Sequence, residues 1–285
     1  MATDAEPPKG CQKLITVLGA RYLRIHYSAD PSKDEEWARR ERRGSPRREW
    51  EREMEMNENV YHGEAVFPEY RESWHGLLGD RPIDLIPGSA YIGGWDCGQT
   101  LHPAFVLLQI TPLPFQIHAL LEVIPPGPEP MEKFAPRVLS LLSRRLPTMW
   151  DEVRHFGDAT VTTRSGSTGD TSQGIARKHG INIQPVSNEW QARYSAVTWA
   201  LSDSIDEKTP RFLIDGCHCP ILREGFRGAY RFEDSPDGDG SGAGRILAMP
   251  LKNSYSHVHD ALQYACLATR KRVFAAPKGK QKLVR

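Results

Sequence analysis

The strongest constraint on the fold is a set of three apolar runs joined by connections too short for a helix. They are Ser89 to Trp95, Ala104 to Ile110 and Phe115 to Val123. The second joint, Thr111-Pro-Leu-Pro114, has room only for a turn. Runs of this length joined this way read as an antiparallel meander. Pro125-Pro-Gly-Pro128 then stops the sheet, and Glu132 to Leu146 carries Phe134, Val138, Leu141 and Leu142 at helical spacing. Val153 to Phe156 reads as a fourth strand, running into Asp158.

Beyond a Gly/Ser/Thr-rich loop (162 to 174), the pattern alternates. A helix from about Ser172 to His179 leads to a strand from Ile181 to Pro185. Ser187-Asn188-Glu189 reads as the cap of a long helix ending near Leu201. A strand follows at Arg211 to Ile214, and a short helix at Cys219 to Gly225. Gly228 to Phe232 and Arg245 to Met249 flank an acidic, Gly-rich turn and read as a β-hairpin. The final helix is expected from about Ser256 to Ala268. Meander, helix, strand, then alternating helices and strands is an α/β order of ribonuclease H-like type. It is a mixed β-sheet flanked by helices on both faces, with an extra β-hairpin. In that order the first and fourth strands are neighbours.

Upstream, Lys13 to Leu18 and Tyr22 to Tyr27 read as short strands. Ser32 to Asn57 is charge-dense and reads as two exposed helical pieces, with Ser32 and Glu35 spaced as a capping box. The expected organisation is therefore an N-terminal remnant or linker at 1–57, a ribonuclease H-like domain at 58–269 and a basic tail at 270–285. That tail holds seven Lys or Arg and no acid.

Three aspartates fall at the edges of these elements. Asp96 ends the first apolar run, Asp158 follows the fourth strand, and Asp260 lies in the first turns of the last helix. Hard oxygen donors with no thiolate or imidazole cluster suit Mg²⁺ or Mn²⁺. Two such ions about 3.5–4 Å apart clamp a phosphodiester for hydrolysis. The pattern therefore predicts a two-ion nuclease site. Each Asp, taken alone, is equally well a turn former. His257, three residues before Asp260, and Glu122, at the end of the third strand, are possible supporting groups. His257 and His259 read equally well as packing or capping residues. Arg164, Arg193, Arg223, Arg227 and Lys252 are candidates for phosphate contacts. Gly93, Gly94 and Gly98 would let the backbone beside Asp96 approach a phosphate or metal.

Composition sets further bounds. The 37 basic and 36 acidic residues nearly cancel, so any surface for a polyanion must be local. Five cysteines form no disulfide-like framework, and Cys217-His-Cys219 has the wrong spacing for zinc. The sequence contains no membrane-length apolar run, no apolar leader and no Gly-x-x-x-x-Gly-Lys-[Ser/Thr] motif, so P-loop ATP hydrolysis is not expected.

Several stretches, in this order, resemble one family. They are Ile25-His-Tyr-Ser-Ala-Asp-Pro31, Gly63-Glu-Ala-Val-Phe-Pro68, Gly94-Trp-Asp-Cys-Gly-Gln-Thr100, Phe156-Gly-Asp158, Gly225-Phe-Arg-Gly-Ala-Tyr230, Lys252-Asn253 and Ser256 to Tyr264. From about Lys13 the chain looks like the C-terminal half of the large terminase subunit of tailed bacteriophages. The resemblance implies a metal-dependent endonuclease cutting concatemeric viral double-stranded DNA, with Asp96, Asp158 and Asp260 as its acidic triad. It also implies work in the host cytoplasm with a portal ring, a small terminase subunit and an ATPase motor. Only the last strands of that motor would be present here, at Lys13 to Tyr27. The chain departs from the family in having Ala159 after the second Asp, where Pro is frequent. Two alternatives remain: a non-catalytic docking module of the packaging complex, and a resolvase-type nuclease of the same fold.

Overall fold

The computed structural model describes residues 10–15, 21–44, 54, 64–76, 79, 81–97, 102–163, 170–206, 209–232 and 249–275. The chain divides into two compact units, Met1–His62 and Gly63–Arg285.

In the first unit, β1 (Cys11–Ile15) and β2 (Arg21–Ile25) pair antiparallel. The helix α1 (Glu35–Gly44) follows. Its N-cap is Asp34, whose Oδ1 accepts from the N–H groups of Glu36 and Trp37, while Ser32 bonds Asp30 instead. The cap thus lies two residues beyond Ser32, and with Trp37 at the third helical position it is a simple N-cap and not the expected capping box. An aspartate at Asp34 also places a formal charge at the positive end of the helix, which a serine hydroxyl cannot. The second expected helical piece lies outside the described residues.

The second unit begins with a short helix, α2 (Glu72–His75). The meander follows as β3 (Ala90–Asp96), β4 (Ala104–Pro112) and β5 (Phe115–Val123). Then come α3 (Met131–Arg145), β6 (Arg154–Asp158), α4 (Ser172–Lys178), β7 (Ile183–Val186) and α5 (Trp190–Ser202). Two small strands, β8 (Ser204–Asp206) and β9 (Thr209–Pro210), pair with each other ahead of β10 (Phe212–Ile214). The helix α6 (Pro220–Glu224) and the long α7 (Ser256–Ala275) complete the unit. The last helix outruns its expected end and takes in the first residues of the basic segment. The expected cap of α5 at 187–189 is absent: Glu189 stands at the N-cap without a side-chain bond to the helix. The hairpin expected after Gly228 leaves one antiparallel bridge, Phe232 to Pro250, with residues 233–248 outside the described set.

Six strands form the main sheet in the order β10-β5-β4-β3-β6-β7. The meander strands are antiparallel, and β3 runs parallel to β6, as the element order required. Strand alternation sorts the side chains between two cores. Ile92, Val106, Leu108 and Phe156 meet Ala196, Val197 and Ala200 of α5 and Val258, Ala261, Leu262 and Ala265 of α7. Tyr91, Trp95, Phe105 and Leu107 meet Phe134, Val138 and Leu142 of α3 and Ile175 and Ala176 of α4. A register shift at Leu107/Leu108 inserts Leu120 as an extra residue in β5. An inserted residue reverses the in–out parity of everything after it. Val123 consequently pairs with Phe105, and Glu122 with Val106.

Candidate active site

Parallel pairing brings two of the aspartates to one sheet edge. Trp95 is paired with Gly157, so Asp96 and Asp158 are the next residue on each strand. Neighbouring strands lie roughly 4.8 Å apart. Both aspartates share parity with Ile92 and Phe156, so both lie on the α7 side of the sheet.

Helix α7 reaches them because β3 is bare at Gly94. A Cβ there would collide with the Ala261 carbonyl oxygen and lie 2.9 Å from the Ala265 Cβ. Gly94 thus makes room for the helix backbone, rather than for the metal or phosphate that the glycine-rich sequence suggested. On the other face, a Cβ at Gly93 would strike Phe105 and His155. With Ala261 seated on Gly94, the preceding residue, Asp260, arrives beside the strand ends. His257, Asp260 and Tyr264, spaced by three and four, share one side of the helix.

The resulting open cleft has a volume of about 760 Å³. Asp96, Asp158 and Asp260 all line it, with Arg193, Lys252, His257, His102 and Tyr264 among the other walls. Each carboxylate has a defined partner. Asp96 Oδ2 lies 2.8 Å from His257 Nδ1. Asp158 accepts from the Thr160 N–H at 3.0 Å and from the Thr160 hydroxyl at 2.8 Å. Asp260 Oδ1 accepts from Arg193 Nη1 at 2.8 Å, and its Oδ2 from Lys252 Nζ at 2.7 Å. Burial, reinforced by the Asp96 and Asp158 carboxylates, pushes the Cys97 thiol up and keeps it protonated. The Tyr264 phenol is likewise raised by burial, with Asp260, Asp158 and Asp96 adding to the effect.

Arg193, expected on a DNA backbone, is buried instead. Besides Asp260, it donates to Asn188 O and Gln263 Oε1, and it lies 5.0 Å from the Tyr264 ring centroid. Arg223 and Arg227 do not line the cleft; both pair with Glu72, holding α2 against α6 and the turn after it. Glu122 is also elsewhere: its carboxylate accepts from the Ile221 and Leu222 N–H groups at the start of α6. Burial raises it to about 7, against those two donors. The β5 bulge explains this placement, because it turns Glu122 toward α6. Lys252 does line the cleft, and Arg164 lies outside the described residues. His259 packs in an aromatic cage of Tyr230, Phe226 and Phe67, where burial lowers it to about 3.

The sequence did not mark His102, Asn188, Ser254 or Tyr264 as site residues, Asn188 having been read only as part of a helix cap. Tyr264 alone carried a signal, its helical spacing from Asp260. Among the described residues, the one set of three carboxylate, imidazole or thiol groups with ligand atoms all within 4.8 Å of one another is Asp215, Cys217 and His218, away from the cleft. Asp215 is a fully buried capping carboxylate there. It accepts from the backbone of Ile83, Cys217 and His218 and pairs with Arg145. Cys219 is buried and turned toward Ala119 O, so the Cys217-His-Cys219 run makes no thiolate pair.

No family model and no curated protein matches the chain. Among solved structures, it is similar to the large terminase of the thermophilic bacteriophage D6E, with a TM-score of 0.52 at 15% identity. The match covers 84% of this chain and 54% of that one. Over the matched part, the chain shares the fold of that protein. It spans about half the length of the D6E protein. Lower-scoring similarities are to the nuclease domain of the P22 large terminase and to that of g2p from bacteriophage SPP1, the latter with bound Mn. For P22 the TM-score is 0.49 at 13% identity, covering 72% of this chain and 92% of that one. For SPP1 it is 0.42 at 19%, covering 62% and 84%. Among the described residues, no helix is long and apolar enough to cross a membrane.

Proposed function

We propose that this chain is a Mg²⁺- or Mn²⁺-dependent endonuclease that cuts double-stranded DNA during viral genome packaging. The observation that carries the reading is the meeting of Asp96, Asp158 and Asp260, from β3, β6 and α7, in one open cleft. Three carboxylates without a thiolate suit hard divalent ions such as Mg²⁺ and Mn²⁺. The three aspartates would hold two ions, which supply charge neutralisation at the phosphate and activation of the attacking water.

The remaining groups act around that set. Arg193 fixes the orientation of Asp260 from behind, and Thr160 does so for Asp158. His257 holds Asp96 and lines the cleft, where its ring would meet a proton or a phosphate oxygen. Lys252 brings a mobile positive charge to the rim, suited to the DNA backbone and indifferent to base sequence. The large-terminase fold supports a role in a packaging complex. Its partners would be concatemeric DNA, a portal ring, a small terminase subunit and an ATPase motor, in the cytoplasm of a bacterial host.

Supercoiled-plasmid digestion in Mg²⁺, Mn²⁺ and EDTA tests this reading, with Asp96→Asn and Asp158→Asn alongside. Metal-dependent nicking lost in both variants is expected. A folded chain that leaves plasmid intact in both metals would point to a docking module instead.

A further inference from the structure

Asp260 holds two cations of very different character. Arg193 is 7% exposed and is fixed by Asn188, Gln263 and the ring of Tyr264 as well as by Asp260. The Lys252 side chain is 67% exposed, and Asp260 Oδ2 is its bonded partner. The backbone carrying Lys252 is tied down on both sides. Leu251 N–H bonds Arg231 O, and Asn253 Nδ2 bonds Ala229 O. Any movement of the ammonium is therefore a rotation of its four-carbon stem, at little cost to the fold.

We infer that Lys252 is an exchangeable occupant of the metal site, which a divalent ion displaces from Asp260 and which then serves as a DNA phosphate ligand. The inference rests on the metal-site reading above. Asp260 lines the cleft with Asp96 and Asp158, and buried Arg193 holds its Oδ1, so an ion held by these residues would compete with Lys252 for Oδ2. Arg193 keeps Oδ1 throughout. The ammonium, released at the rim of an acidic cleft, lies where a phosphate would enter. Metal binding and DNA binding are then coupled through one side chain: the ion frees the lysine, and DNA captures it. Linkage requires the reverse as well, so DNA raises affinity for the ion.

Two measurements on the intact chain test this. Mn²⁺ binding is followed by electron paramagnetic resonance without DNA, for wild type, Lys252→Gln, Lys252→Arg and Asp96→Asn. Affinity for a duplex is then measured against salt at 4 °C, with and without Mn²⁺, over a time in which the duplex stays intact on a gel. Removing an exposed competitor is expected to tighten Mn²⁺ binding about two- to fivefold in Lys252→Gln. Lys252→Arg should stay near wild type. With Mn²⁺, the wild-type salt slope should exceed that of Lys252→Gln by about 0.9, one phosphate contact, and without Mn²⁺ the two should coincide. Suppose Mn²⁺ binds in an Asp96-dependent way but Lys252→Gln leaves its affinity unchanged or weaker. The exchange is then wrong and the metal site stands. A salt-slope difference equal with and without Mn²⁺ also overturns it, since Lys252 would then be a constant DNA contact. No Mn²⁺ binding by the folded wild type overturns both readings.

Discussion

The Arg193 guanidinium donates to Asp260 Oδ1 at 2.8 Å, and both side chains are 8% exposed. Removing one member of a buried pair strands the other's charge and typically costs about 3–5 kcal/mol. Lys252 stays on Asp260 Oδ2, so Arg193→Met should destabilise the domain by an amount toward the low end of that range, read by denaturant unfolding. Nuclease activity should fall even at temperatures where the variant stays folded, because Asp260 loses its orientation. An Arg193→Met protein of wild-type stability would show that the pair does not hold α5 and α7 together.

Gly94 sets how closely α7 approaches the sheet. Its missing Cβ is replaced by the Ala261 carbonyl, so Gly94→Ala cannot be absorbed by a flexible side chain. Overpacking of this kind costs about 1–3 kcal/mol or more. The expected result is a lower melting temperature together with loss of Asp260 from the cleft, seen as weakened metal binding. Retained melting temperature and metal binding would contradict the role assigned to this close approach.

Glu122 separates a helix cap from a catalytic carboxylate. It bonds the first N–H groups of α6 and lies outside the cleft. Glu122→Ala should cost about 0.5–2 kcal/mol of stability, as the loss of a capping side chain does. Specific nuclease activity of the folded fraction should be unchanged. A large drop in turnover without loss of stability would return Glu122 to the active site.

Buried histidines give the domain an acid sensitivity. Trp95 Nε1 donates to His155 Nδ1 at 3.0 Å, so that nitrogen must be unprotonated, and burial lowers His155 to about 4. Burial likewise lowers His118 to about 4. These groups favour the fold while neutral, above 6.5, and that contribution is lost as pH falls toward 4. Each contributes roughly 3 kcal/mol over the window. Glu122, raised by burial to about 7, works in the opposite sense between 4.5 and 7, but one carboxyl does not cancel the histidines. Stability measured at successive pH values should thus decline from 6.5 to 4. His155→Asn, which keeps an acceptor for Trp95, should flatten that slope by about one proton. An unchanged slope would show that His155 is already charged in the fold.

The legible part of this protein was its local grammar. Apolar runs, short joints and a late helical pattern placed the meander, its parallel neighbour β6 and the start of the last helix within a few residues, while that helix runs on past its expected end to Ala275. That order alone predicted Asp96 and Asp158 on one edge. The partners of those groups were not legible. Arg193 and Asp260 are 67 positions apart, and Arg223 and Glu72 are 151 apart. Arg193, Arg223 and Arg227 all read as DNA ligands from their charge, yet each spends it on an internal carboxylate. Glu122 turned away because one inserted residue, Leu120, reversed the parity of β5, and an alternating apolar run hides such an insertion.

By itself, then, the sequence determined strand and helix order, the sheet's two apolar faces and the residue types available for chemistry, because periodicity and turn lengths are local properties. Only the tertiary structure decided which charges meet. The choice depends on how closely α7 settles on Gly94 and which side chains are desolvated there, and both are set by contacts between segments far apart in the chain.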